Sequence, residues 1–187
     1  MSRFIYNFFF SLFGWKINGV MPSEKKFIII VAPHTSNWDF MIGLCVRSIL
    51  RFDAKFLGKK ELFRFPFGSL FKWLGGLPVD RSRNANMVDA VAELFNRNDE
   101  LIIAMAPEGT RKYVPKWKTG FYFMALKANV PILMASFDYP SKTVFASKPF
   151  YPTGNFQEDM EKIFEFYRNK QGKIPKPLPD LYLGSQH

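Results

Sequence analysis

The chain has 187 residues, enough for one domain with a substantial core, and its 48% apolar and 22% charged residues exclude an intrinsically disordered protein. One cysteine, Cys45, and two histidines exclude an internal disulfide and a zinc-type ligand set, and point to a reducing, cytoplasmic side. The net charge of +10 favours an anionic partner, but its scattered basic residues, with no helix-turn-helix, zinc-finger or RNA-recognition signature, speak against nucleic acid; 22 phenylalanines, many beside lysine or arginine, favour an anionic lipid surface.

Residues Phe4 to Trp15 are apolar and aromatic. The segment is too short to span a bilayer, which takes about 20 apolar residues. No small-residue cleavage site follows before Met21 and Pro22, so it does not read as a secretion signal. Two readings stand, and different faces can satisfy both: an interfacial helix flanked by Arg3 and Lys16, or a helix packed on the domain's own core.

Ile28 to Val31 read as a strand buried on both faces, because the apolar run is continuous rather than alternating. Pro33 ends it, since proline cannot donate to a sheet ladder. His34 follows, and Asp39 comes after four intervening residues. Ser36 or Asn37 can cap a helix entering at Trp38, with Phe40, Ile42, Leu44, Val46 and Ile49 as its apolar surface. This places a histidine at the carboxyl end of a buried strand, where open α/β sheets bind ligands, with a carboxylate near enough to hold the imidazole. The other histidine, His187, ends the chain, so His34 is the candidate base near neutral pH.

Ala54 to Gly58 read as a short strand, and Glu61 to Leu74 as two short helical pieces interrupted by Pro66. Gly75 to Arg81 is a turn running into another short strand. A helix follows whose Val88, Val91, Leu94 and Phe95 keep helical spacing. Leu101 to Met105 is a second buried strand, stopped by Pro107 and followed by Glu108, Gly109, Thr110 and Arg111. Lys118 to Gly120 precede a helix through Phe123, Leu126 and Lys127; strands at Pro131 to Phe137 and Thr143 to Ala146 come next, and a final helix spans Phe156 to Asn169. The alternation predicts an α/β fold with a mixed, mostly parallel sheet flanked by helices. Residues 1–20 form a membrane-interface segment, 21–171 the α/β domain and 172–187 an extended tail in this reading.

If the two proline-terminated strands are parallel neighbours, His34 to Asp39 and Glu108 to Arg111 emerge at one sheet edge, joined by Asp80 and Arg81. Arginine suits bidentate recognition of phosphate, and Gly109 lets backbone N–H groups approach an anion.

The pattern resembles the glycerolipid acyltransferase family, the bacterial lysophosphatidate (1-acylglycerol-3-phosphate) acyltransferases and their relatives. The H-x-x-x-x-D block is matched by His34 and Asp39, the glycine-to-arginine block by Gly75 to Arg81, and the E-G-T-R block without change by Glu108, Gly109, Thr110 and Arg111. Val130, Pro131 and Ile132 match a fourth block in the family's order. The resemblance implies acyl transfer from a thioester, acyl-CoA or acyl-carrier protein, to the hydroxyl of a lysophospholipid at the cytoplasmic face of a membrane. His34 would be the general base and Asp39 its orienting carboxylate. Arg81, Glu108, Gly109, Thr110, Arg111 and, by proximity, Lys118 would bind the acceptor. No metal or organic cofactor is expected. Acceptors other than 1-acylglycerol-3-phosphate, such as a lyso-aminolipid, remain open, as does a non-catalytic lipid-binding protein of the same fold.

Overall fold

Phe27, Ile28, Ile29 and Ile30 are all buried because their strand lies inside a sheet with packing on both faces. The computed structural model describes residues 3–79 and 84–179. Its strands are β1 (Lys16–Asn18), β2 (Lys26–Val31), β3 (Ala54–Lys59), β4 (Gly76–Val79), β5 (Leu101–Met105), β6 (Ile132–Asp138) and β7 (Thr143–Ala146). The helices are α1 (Arg3–Leu12), α2 (Trp38–Leu50), α3 (Gly68–Trp73), α4 (Asn84–Arg97), α5 (Gly120–Ala128) and α6 (Phe156–Tyr167). All seven strands form one sheet in the order β1-β7-β6-β2-β5-β3-β4, and only the β6–β7 pair is antiparallel. The mostly parallel α/β architecture is the one that the strand–helix alternation implies.

Period-two side-chain alternation divides the core between the two faces. Ile28, Ile30, Ile103, Ile132 and Met134 join Val91 and Phe95 of α4, Tyr122 of α5, and Met160, Ile163 and Tyr167 of α6 in one cluster. On the other face Phe27, Ile29, Leu133 and Ala135 form a second, and Phe137 and Val144 pack with Phe10 of α1 and Ile42 and Val46 of α2. Tyr167, fully buried, donates its hydroxyl to the Ile30 carbonyl at 2.8 Å, which ties α6 to β2 and satisfies both groups.

Several elements differ from expectation. The β1 strand was not anticipated, and it adds to the sheet beside β7. The expected pieces around Pro66 resolve into a 3-10 turn at Lys60–Phe63 and α3. Pro78 is accommodated because β4 is an edge strand. The last helix stops at Tyr167, two residues short of the expected end. Residues 171–179 carry no helix or strand but lie against the domain, where Gly172 and Pro179 are buried.

Helix α1 packs onto the domain's own core through one face. Phe10 is buried, whereas Phe4, Phe8, Phe9, Leu12 and Phe13 are exposed. Among the described residues no helix is long and apolar enough to cross a membrane.

Ile103→Ala, at the centre of the larger cluster, should lower stability by about 2–5 kcal/mol, whereas the exposed Val20→Ala should stay within about 0.5 kcal/mol of the parent protein. Urea denaturation of the two variants checks this.

Candidate active site

β2 and β5 are parallel neighbours, with Ile30 opposite Met105, so the residues after them leave the sheet at the same edge. The chain turns through Ala32 and Pro33 into the His34 loop, and α2 begins at Trp38 with Asp39 in its first turn. Asp39 is almost wholly buried, at 2% exposure, and four donors surround its carboxylate. His34 Nδ1 lies 2.9 Å from Oδ2, the Thr35 and Ser36 N–H groups donate to Oδ2 at 2.8 and 2.9 Å, and the Tyr139 hydroxyl donates to Oδ1 at 2.7 Å. Burial alone raises the pKa of Asp39, but the bonds from His34, Ser36, Tyr139 and Thr35 outweigh it and hold the carboxyl below its usual range. The carboxylate therefore accepts and His34 Nδ1 donates, which leaves Nε2 as the ring nitrogen not bonded to Asp39. The imidazole side chain is 28% exposed, so a ligand can reach it.

Of the two capping candidates at the start of α2, Ser36 makes the side-chain bond. Asn37 holds the N-cap position but makes no capping bond, because Arg111 Nη1 donates to its side-chain oxygen. Ser36 Oγ instead accepts from the Trp38 N–H at 3.2 Å. The Asn37–Arg111 contact joins the His34 loop to the loop after β5.

Glu108 is buried and faces inward. Its Oε2 accepts from the His34 N–H at 3.1 Å and from Lys176 Nζ at 2.5 Å. Burial raises its pKa, and Lys176 and His34 only partly oppose that. Gly109 has φ +66°, and a Cβ there would sit 3.3 Å from Lys118 Cε, so the turn needs glycine and lets Lys118 cross over it. Arg111 and Thr110 are exposed, and Thr110 Oγ1 accepts from the Lys112 N–H at 3.3 Å. His34, Asp39, Glu108, Gly109, Thr110, Arg111 and Lys118 thus share one region, while Asp80 and Arg81 lie outside the described residues.

Two contacts here escape sequence reasoning. Tyr139 comes from the end of β6, a hundred residues from the aspartate it contacts, and no spacing announces it. Lys176 comes from the expected tail. Among the described residues no group of three or more His, Cys, Asp or Glu side chains is arranged to hold a metal ion.

The fold and this geometry define an α/β protein with an imidazole–carboxylate pair at a strand's carboxyl end, beside a loop carrying exposed cations. The family model described as Acyltransferase matches residues 16–137, and the chain belongs to the acyltransferase family. It is 30% identical over 133 residues to a 1-acyl-sn-glycerol-3-phosphate acyltransferase of Haemophilus influenzae, covering 66% of this chain and 54% of the relative. With the Escherichia coli enzyme of the same name it shares 31% identity over 131 residues, 65% of this chain and 52% of the relative. The chain thus spans about half the length of these relatives. The crystal structure of the 1-acyl-sn-glycerophosphate acyltransferase PlsC from Thermotoga maritima has the same fold, with a TM-score of 0.58 and 21% identity over 88% of this chain and 73% of that one.

Because the folded pKa of Asp39 is depressed, its contribution to stability is full above the unfolded value and is lost as pH falls through the folded one. Asp39→Asn should cost about 1–3 kcal/mol at neutral pH, and the gap from the parent protein should narrow below about pH 4. Glu108, whose raised pKa acts in the opposite sense, is common to both proteins. The difference between urea stabilities across a pH series isolates Asp39.

Proposed function

We propose that the protein transfers a fatty acyl group from a thioester donor, acyl-CoA or acyl-carrier protein, to the hydroxyl of a lysophospholipid. The acceptor is 1-acylglycerol-3-phosphate and the product phosphatidate. The observation that carries this reading is the His34 imidazole, reachable from solvent and held at Nδ1 by a buried, ionised Asp39. Family membership and the names of the relatives support the substrate assignment.

In the proposed reaction His34 Nε2 takes the acceptor's hydroxyl proton as the oxygen attacks the thioester carbonyl. Asp39 stabilises the imidazolium that forms and fixes its tautomer. A C–O bond forms, the C–S bond breaks, and the imidazolium returns its proton to the departing thiolate. Among the described residues no hydroxyl or thiol is hydrogen-bonded to the imidazole, which suits direct transfer without an acyl-enzyme. Arg111 and Lys118 bind the acceptor's phosphate, and Gly109 and Thr110 shape the turn that presents them. Glu108 supports the pocket from beneath. Arg81 joins the phosphate ligands on the strength of its place in the sequence. No metal or organic cofactor takes part in this scheme.

We also propose that the protein works on the cytoplasmic face of a membrane with anionic lipid. The exposed phenylalanines of α1 and the exposed Phe65, Phe67, Leu70 and Trp73 supply apolar surface, and the net charge of +10 supplies attraction.

The test offers purified protein a panel of acceptors with labelled acyl-CoA or acyl-carrier protein: lysophosphatidate, glycerol-3-phosphate, neutral lysolipids and lyso-aminolipids. Transfer to lysophosphatidate is expected; transfer only to another acceptor would reassign the pocket, and none to any would refute the enzyme. His34→Ala should lower kcat by about 10²–10⁴-fold, and retained activity would end the mechanism. Arg111→Ala should chiefly raise KM for the phosphorylated acceptor; an unchanged KM with reduced kcat would remove it as a ground-state phosphate ligand. Replacing Phe4 and Phe8 together by serine should weaken binding to liposomes containing phosphatidylglycerol, and undiminished binding would defeat the interfacial role of α1.

A further inference from the structure

The family match ends at residue 137, yet the chain returns to the His34 loop long after that point. Beyond α6 it crosses the sheet edge as a strap. The Gln171 N–H donates to Asp138 Oδ1 at 2.9 Å, and its carbonyl accepts from the Tyr139 N–H at 3.0 Å. Gly172 then passes so close to Thr35 that a Cβ would come within 2.6 Å of its side chain. The Ile174 N–H donates to Thr35 Oγ1 at 3.2 Å, and Lys173 Nζ sits 5.0 Å from the centre of the Trp38 ring.

The strap delivers Lys176 into the protein, with only 10% of its side chain exposed. Its ammonium donates to the His34 carbonyl at 2.9 Å and to Glu108 Oε2 at 2.5 Å, while the same Oε2 accepts from the His34 N–H. Both main-chain groups of His34 are therefore gripped by one ion pair, one partner from the loop after β5 and the other from the strap. A buried ion pair is a poor source of stability, because desolvating two charges offsets much of their attraction. Its geometry here serves placement. The ring of bonds fixes the peptide planes on either side of His34, and with them the direction in which the imidazole leaves the backbone.

We propose that Lys176 is a positioning residue: with Glu108 it clamps the His34 main chain, so that the C-terminal strap completes the catalytic loop. The inference rests on the acyltransferase reading and extends it to a residue outside the matched family region.

The test compares the parent protein with Lys176→Met and with Glu108→Gln/Lys176→Met, which removes both charges of the pair should the single variant fail to fold. With lysophosphatidate and acyl-CoA, Lys176→Met should lower kcat by about 10- to 100-fold, as expected for a misplaced catalytic group, with KM changed less than about threefold. The double variant should be no slower than Lys176→Met, because the two residues act as one unit. A second reading comes from ¹⁵N-histidine NMR in a His187→Gln background, where His34 is the sole histidine. Its Nδ1–H signal should shift and exchange faster with solvent in either Lys176 variant. A kcat within about twofold of the parent protein, or an unmoved Nδ1–H signal, overturns the proposal. Should the parent protein transfer to no acceptor, the acyltransferase reading fails, and the imidazole signal alone decides the clamp.

Discussion

A carboxylate taken out of water must be given donors, and at Asp39 that requirement organises the site. Ionised and nearly inaccessible, it needs most of its lone pairs filled. Three of its four donors come from the four residues just before α2: two backbone N–H groups and the His34 ring. A loop that satisfies all three has little conformational freedom left. The hydrogen bonds that make burial of Asp39 tolerable therefore also set the shape of the turn carrying His34. The fourth donor, Tyr139, places the end of β6 beside the start of α2, and the edge contact of its ring with Trp15 at 5.1 Å ties in the segment after α1.

The sheet supplies the second constraint. Parallel pairing of β2 with β5 brings two chain reversals to one edge, and a proline lies within two residues of each strand's end. Beyond those prolines the backbone groups lose their ladder partners and must find others. Here they find side chains: the His34 N–H binds Glu108, and the His34 carbonyl binds Lys176. The polar groups at this edge are thus partners required by the geometry as well as candidates for chemistry.

Much of this was readable from the order of residues. Apolar runs that stop at Pro33 and Pro107 marked the central strands, and the spacing from His34 to Asp39 marked the pair that the structure brings into contact. What escaped has physical reasons. Lys16, Ile17 and Asn18 hold a single apolar residue, and β1 exists through backbone pairing with β7, which leaves no side-chain pattern. Tyr139 follows a buried strand and reads like any residue entering a turn; its importance depends on where α2 begins in space. Lys176 stands in a proline- and lysine-rich stretch whose composition resembles a solvated tail. The close passage of Gly172 past Thr35, with the backbone bonds of Gln171 and Ile174, brings that stretch onto the site.

The two buried carboxylates at this edge are shifted in opposite directions, and counting donors explains why. Burial pushes both upward. Asp39 has four donors spread over both oxygens, and they more than offset that push. Glu108 has two, both on Oε2, and they do not. Asp39 is thereby held as an anion fit to face an imidazolium without help from any cation beyond the ring itself. At Glu108 the upward push is opposed chiefly by Lys176 and to a smaller extent by His34. The division suits their positions: the carboxylate touching the ring is held low first by the imidazole and then by nearby N–H groups and Tyr139, whereas the upward shift of the one beneath the loop is opposed chiefly by Lys176 of the strap after α6. The site's electrostatics are thus completed by the strap that carries Lys176.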